Sequence, residues 1–151
     1  MFKKILLLTL ISSICVFATS FKEGDNIGYF SLPNQFDEKS AIDSKIETII
    51  VSFEKDTGKD INTYLASKNP DFLKNHHAVF IANISGMPSI ITKLFAMPKM
   101  REYKHPILLI YDENDNRFIS QEEKSTLYKL ENGTIKSITY ITKDNLDEVF
   151  K

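Results

Sequence analysis

The residues of this 151-residue chain with most chemical potential are spaced oxygen donors, a methionine–histidine group and a Thr-Gly-Lys-Asp run. Asp112, Asn114 and Asn116, then Glu123, offer oxygen ligands at positions 1, 3, 5 and 12 of one loop. Phe118 would give a backbone carbonyl at position 7, and apolar Ile119 follows it. That is the spacing of an EF-hand calcium loop. Arg117, however, stands where the loop needs glycine for its sharp turn, and it adds a positive charge beside the cation. Pro106 and the apolar run Ile107–Tyr111 do not read as an entering helix. A solvated turn after a strand, rich in Asp and Asn because both favour turns, is the competing reading.

Met97, Met100 and His105, with Met87 nearby in sequence, are soft donors suited to Cu(I). They lack a cysteine ligand, and methionine commonly fills irregular core gaps instead. Asp56-Thr57-Gly58 spells the triplet of aspartic proteases, whose carboxylate must share a proton with a second one in an apolar cleft. Charged neighbours (Glu54, Lys55, Lys59) stand where apolar flanks belong. Thr57-x-x-Asp60 fits a capping box, with a hydroxyl on orphan N–H groups and an acid three residues on. The alternative is an anion held at the helix start by Gly58-Lys59, although the rest of a phosphate-binding loop is absent. His76-His77 suits a helix C-terminus. No glycine-rich nucleophile elbow supports acyl transfer, and no cofactor is indicated.

The N-terminus decides what chemistry remains. Lys3 and Lys4, an apolar run from Ile5 to Phe17 and the small-residue exit Ala18-Thr-Ser20 form a secretory signal. Cleavage is expected after Ala18, or after Ser20; an uncleaved N-terminal anchor is the alternative. Cys15, the one cysteine, lies inside this segment, and Ile14 before it does not fit a lipoprotein signal. Removing the first 18 of 151 residues leaves 133, enough for one domain spanning 19–151 with a real core. Lys3 and Lys4 go with the signal, so 17 basic residues face 20 acidic ones, a net charge of −3. That balance argues against nucleic acid and an anionic membrane surface as partners. No membrane span is expected after signal removal, and the location is the periplasm or the exterior.

Those residues must be positioned by an α/β framework. A short entry strand is expected at Ile27–Leu32, and Thr48–Phe53 reads as a strand buried on both faces. Apolar spacing predicts a helix over Ile61–Leu73, broken near Pro70. Ala78–Ile84 is a second buried strand. Ser85 and Pro88 then open a helix whose inward face would carry Ile90, Ile91, Leu94 and Phe95, and Pro98 stops it. Ile107–Tyr111 is a third strand. Ser125–Leu130 and Thr134–Ile141 flank Glu131-Asn-Gly133, a strong hairpin signal. A closing helix starts at Thr142 or Lys143, with Leu146, Val149 and Phe150 facing inward. Strands joined by helices and a late hairpin imply one mixed sheet with helices on its faces.

This order resembles the thioredoxin-like fold, in particular the exported redoxins related to TlpA and the peroxiredoxins. Gly28-Tyr-Phe-Ser-Leu-Pro-Asn-Gln35 is similar to their opening F-x-L-x-D-x-x-G segment. Ile49-Ile-Val-Ser-Phe53 is similar to their first core strand, and Thr126–Ile135 to their P-T…G-x-I hairpin. The resemblance implies a mixed sheet with helices on both faces. It also implies a Cys-x-x-Cys where this chain has Thr57-Gly58-Lys59-Asp60, and a cis-proline where it has Ser125; Pro106 is the other register for that proline. A thiolate is the nucleophile of that chemistry, and neither a hydroxyl nor a carboxylate forms a mixed disulfide. The expected function is therefore a non-catalytic binding or interaction domain, with an unknown protein or small-molecule partner. A thiol-independent enzyme or a calcium or copper protein is the alternative.

Overall fold

The computed structural model describes residues 19–151. The expected signal segment, with Cys15, lies outside the described residues.

β3 (Thr48–Ser52) is buried at every position. A β-branched run does this when strands flank it and both sheet faces are covered. It is the centre of a five-stranded sheet ordered β5-β4-β3-β6-β7. On one side β4 (Ala78–Asn83) runs parallel to it, with Ile50 opposite Phe80. A parallel partner requires a crossover, and α1 (Lys55–Ala66) with the short α2 (Phe72–Asn75) supplies it. β5 (Leu108–Ile110) adds a further parallel strand at that edge. On the other side β6 (Ser125–Glu131) is antiparallel to β3 and forms a hairpin with β7 (Thr134–Ile141). Asn132 and Gly133, at φ of 50° and 79°, make its two-residue loop, the geometry that an Asn-Gly pair favours.

A separate hairpin, β1 (Phe30–Pro33) with β2 (Lys39–Ile42), precedes the sheet. β2 has no counterpart in the expected order. Only Ile42 of its four residues is buried, so there is no apolar alternation to read. At the C-terminus the 3-10 turn Lys143–Asn145 leads into α3 (Leu146–Val149). Thr142 and Asn145 cap each other there, and Leu146 and Val149 are buried as expected.

Neighbouring residues of β3 serve different cores, as the two-residue period of a strand dictates. Ile50 packs with Ile61, Leu65, Leu73, Phe80, Leu127 and Leu146, so α1, α2 and α3 cover that face. Ile49 and Val51 pack on the other face with Ile81, Tyr128 and Ile135. Leu32 and Ile42 of the N-terminal hairpin, together with Phe118, close this second core. Cover there comes from a hairpin and a loop, and no helix residue joins it.

Two helical expectations are corrected. α1 begins at Lys55, six residues before Ile61, and Glu54 is its N-cap residue without a side-chain cap bond. Thr57 is thus inside the first turn, where its hydroxyl donates to the Glu54 carbonyl at 3.1 Å rather than capping free N–H groups. The second correction concerns the helix after β4. Helical turns at Ser89–Ile91 and Met97–Met100 are joined by a π turn over Thr92–Ala96, making one composite helix that runs through Pro98. Proline lacks an N–H and crowds the carbonyl four residues back. A wider π turn just before it relieves that crowding without ending the helix. The Met97 N–H then reaches the Thr92 carbonyl, and these two residues, five apart, are the buried ones. Ile90, Ile91, Leu94 and Phe95, expected to face inward, are exposed.

Candidate functional site

The residues at the positions of the expected redox pair lie where β3 hands over to α1. Only Phe53 and Glu54 separate the strand from the helix, so the first helical turn packs directly over the strand end. Gly58 permits this approach, since a Cβ there would lie 3.1 Å from the Ser52 hydroxyl oxygen. The Gly58 N–H donates to the Glu54 carbonyl at 3.0 Å, the first bond of the helical ladder.

β6 starts beside this corner. Val51 pairs with Thr126, so Ser125 sits one step beyond, next to the end of β3. The preceding loop is tied to the helix start by a hydrogen bond: the Glu123 N–H donates to the Glu54 carboxylate at 2.9 Å. Glu123 is left-handed there, at φ 60°. Two β6 side chains hold the loop further back. The Thr126 hydroxyl donates to the Ile119 carbonyl at 2.7 Å, and the Ile119 N–H donates to the Tyr128 hydroxyl at 2.9 Å. Burial pushes that Tyr128 hydroxyl up to about 12. Ser52, Thr57, Ser125 and Thr126 are all buried. Thr57 and Ser125 therefore share one corner of the fold, while Asp60 lies in the second turn of α1 and Lys59 is exposed.

This corner presents hydroxyls and a carboxylate engaged in holding backbone together. The Thr57 proton goes to a main-chain carbonyl, and Asp56 of the protease-like triplet is exposed in a helical turn. Among the described residues there is no cysteine, and no group of three or more His, Cys, Asp or Glu is placed to share a metal ion. The described peptide bonds are all trans.

The other candidates fall elsewhere. In the Asp112–Glu123 loop, Asp112 accepts from the Asn114 N–H at 2.9 Å, and the Asn116 carbonyl accepts from the Ser20 hydroxyl at 2.8 Å. Asp115 is ion-paired with Arg117, whose hydrogen bonds hold its carboxyl below the usual range. Met97 belongs to the first core, with Met87, Met100 and Tyr103 packed against that core. The Met97 sulfur accepts from the Tyr111 hydroxyl at 3.6 Å. His76 ends α2, its Nδ1 2.8 Å from the Phe72 carbonyl.

His105, expected beside Met97 and Met100 as a copper ligand, is instead the centre of a buried polar cluster. Its Nε2 lies 2.9 Å from the Asn62 side-chain oxygen Oδ1, an acceptor, so that nitrogen carries the proton. Gln35 brackets Pro106: its amide donates to the His105 carbonyl and its oxygen accepts the Ile107 N–H, each at 2.9 Å. Arg101 in turn donates to the Gln35 carbonyl at 2.9 Å. The cluster joins the turn after β1, α1 and the strand leading to β5.

No family model and no curated protein matches the chain. Solved structures do. Peroxidoxin BcpB from Mycobacterium tuberculosis aligns with a TM-score of 0.53 at 14% identity, over 85% of this chain and 94% of that one. StoA from Bacillus subtilis aligns with a TM-score of 0.51 at 18% identity, over 82% and 97%. A thio-disulfide isomerase from Thermus thermophilus aligns with a TM-score of 0.51 at 14% identity, over 85% and 94%. At these identities the likeness speaks for the fold alone: the chain has a thioredoxin-like mixed sheet, without a Cys-x-x-Cys.

Proposed function

We propose that this is an exported, non-catalytic binding domain on a thioredoxin-like scaffold. The observation that carries the reading is the corner of Ser52, Glu54, Thr57 and Ser125. It holds no thiol, and the Thr57 hydroxyl and Glu54 carboxylate are both spent on tying helix and loop together. A hydroxyl so engaged, with no histidine hydrogen-bonded to it among the described residues, lacks the activating base that nucleophilic catalysis needs. The exposed charged rim of this corner (Lys55, Asp56, Lys59, Glu122, Glu123) is the surface offered to a partner.

Two measurements test the two halves of this reading. Turnover of the processed protein in insulin reduction, peroxidase and broad hydrolase assays is expected to be absent; any turnover abolished by Thr57→Val would overturn the binding assignment. Selected peptide ligands are expected to lose affinity on Asp56→Lys or Glu122→Lys, and ligands indifferent to both changes would remove this corner as the binding surface. Export is checked by thiol titration of the denatured protein recovered from cells. No thiol per chain is the expected result, whereas one thiol per chain means that Cys15 and the segment around it are retained.

A further inference from the structure

The composite helix carries an apolar ridge that the fold does not use. Ile90, Leu94 and Phe95 are exposed to 65%, 63% and 66%, and Ile91 to 41%. They recur at one, four and five residues, which sets them on one side of the helix. Thr92 and Met97 hold the opposite side to the core. Four large apolar side chains on one ridge form a contiguous patch that a monomer in water has no reason to keep.

The charge around the ridge says what it faces. Residues 85–106 carry Lys93, Lys99, Arg101 and Lys104 against Glu102 alone, while the rest of the chain after residue 18 has 13 basic against 19 acidic residues. Lys99 is paired with Glu102 at 2.9 Å and Arg101 with Asp37 at 3.5 Å. Lys93 and Lys104 are exposed and have no ion-pair partner among the described residues. The negative net charge of the whole chain thus hides a basic segment that carries the apolar ridge. Such a charge asymmetry orients the molecule toward an anionic surface.

We propose that this ridge is a membrane-surface docking element for bilayers containing anionic lipid. Ile90, Ile91, Leu94 and Phe95 enter the boundary between headgroups and acyl chains, and Lys93 and Lys104 bind lipid phosphate beside them. Amphipathic helices with a basic polar flank bind interfaces this way. A second copy fits less well, because a two-fold interface sets the same basic segment against itself. A bilayer, unlike a protein partner, needs no pocket matched to the ridge.

The chain has no tryptophan, so Phe95→Trp or Leu94→Trp in the full chain is a unique local reporter. With vesicles of phosphatidylcholine and phosphatidylglycerol, either reporter is expected to shift its emission to the blue and to be quenched by brominated lipid. Tyr29→Trp, at a position 75% exposed, is expected to do neither. Removing one cation with Lys93→Gln should raise the lipid concentration for half-maximal shift about fivefold. The proposal is overturned if residues 94 and 95 stay in water while the chain binds vesicles through its N-terminal segment. It is equally overturned if phosphatidylcholine alone gives the same shift, or if the shift appears without lipid as the protein concentration rises, which assigns the ridge to self-association.

Discussion

An imidazole buried against an amide can keep only one protonation state cheaply. The His105 ring faces the Asn62 side-chain amide and the Tyr103 ring, both uncharged, and burial lowers it from 6.5 to about 4. The unfolded chain therefore binds a proton between pH 6.5 and 4 that the folded chain refuses. Stability from this group is complete above pH 6.5 and falls as the pH drops through that window, by on the order of 3 kcal/mol. Urea midpoints measured between pH 7 and 4 should fall steeply for the native chain and less so for His105→Gln; parallel slopes would show that another group drives the loss. Gln35 allows a second prediction at this scale. Gln35→Leu leaves the His105 carbonyl and the Ile107 N–H without partners, which costs about 2 to 4 kcal/mol in urea unfolding at pH 7. The sequence singled out His105 only as a soft metal donor, and its partners Asn62 and Gln35 were not legible. Hydrogen bonds between residues some 43 to 72 positions apart leave no local spacing to read.

At the scale of the element, legibility followed how local the cause was. The hairpin of β6 and β7 was readable because its turn is fixed by two adjacent residues. Gly133 sits at φ 79°, and a Cβ there would also lie 3.3 Å from the Asn26 side chain. Gly133→Ala should accordingly destabilise by about 1 to 2 kcal/mol, seen as a lower urea midpoint with an unchanged slope; a neutral result would mean that the loop can change turn type. The composite helix was misread for a different reason. Its apolar residues have the period of a core-facing stripe, and periodicity cannot say which side the sheet occupies. Thr92 and Met97 line up only after the π turn adds a residue, so an α-helical wheel puts the wrong face inward. Likewise the start of α1 follows from how close Gly58 comes to Ser52, a tertiary contact that a capping pattern cannot anticipate.

For the whole molecule, strands carried the fold and loops hid the site. Thr48–Ser52, Ala78–Asn83 and the hairpin are β-branched and bounded by turn residues, and those features alone give the mixed sheet. The Asp112–Glu123 loop shows why ligand spacing alone is weaker. Its residues have the order of a calcium loop, yet the Asp115 carboxylate is held by Arg117, and the Glu123 N–H and left-handed backbone serve the Glu54 contact. The loop is also anchored at Ile119 by Thr126 and Tyr128. Gathering Asp112, Asn114, Asn116 and Glu123 around one ion would compete with the Asp112–Asn114 bonds and bring the cation close to a guanidinium. Calcium at tenfold above a dissociation constant would stabilise the fold by about 1.4 kcal/mol, or roughly 5 °C in a domain of this size. Melting curves with and without millimolar calcium are therefore expected to coincide. A rise of several degrees, abolished by Asp112→Asn, would instead mean that the loop rearranges around the ion and that the spacing in the sequence was the better guide.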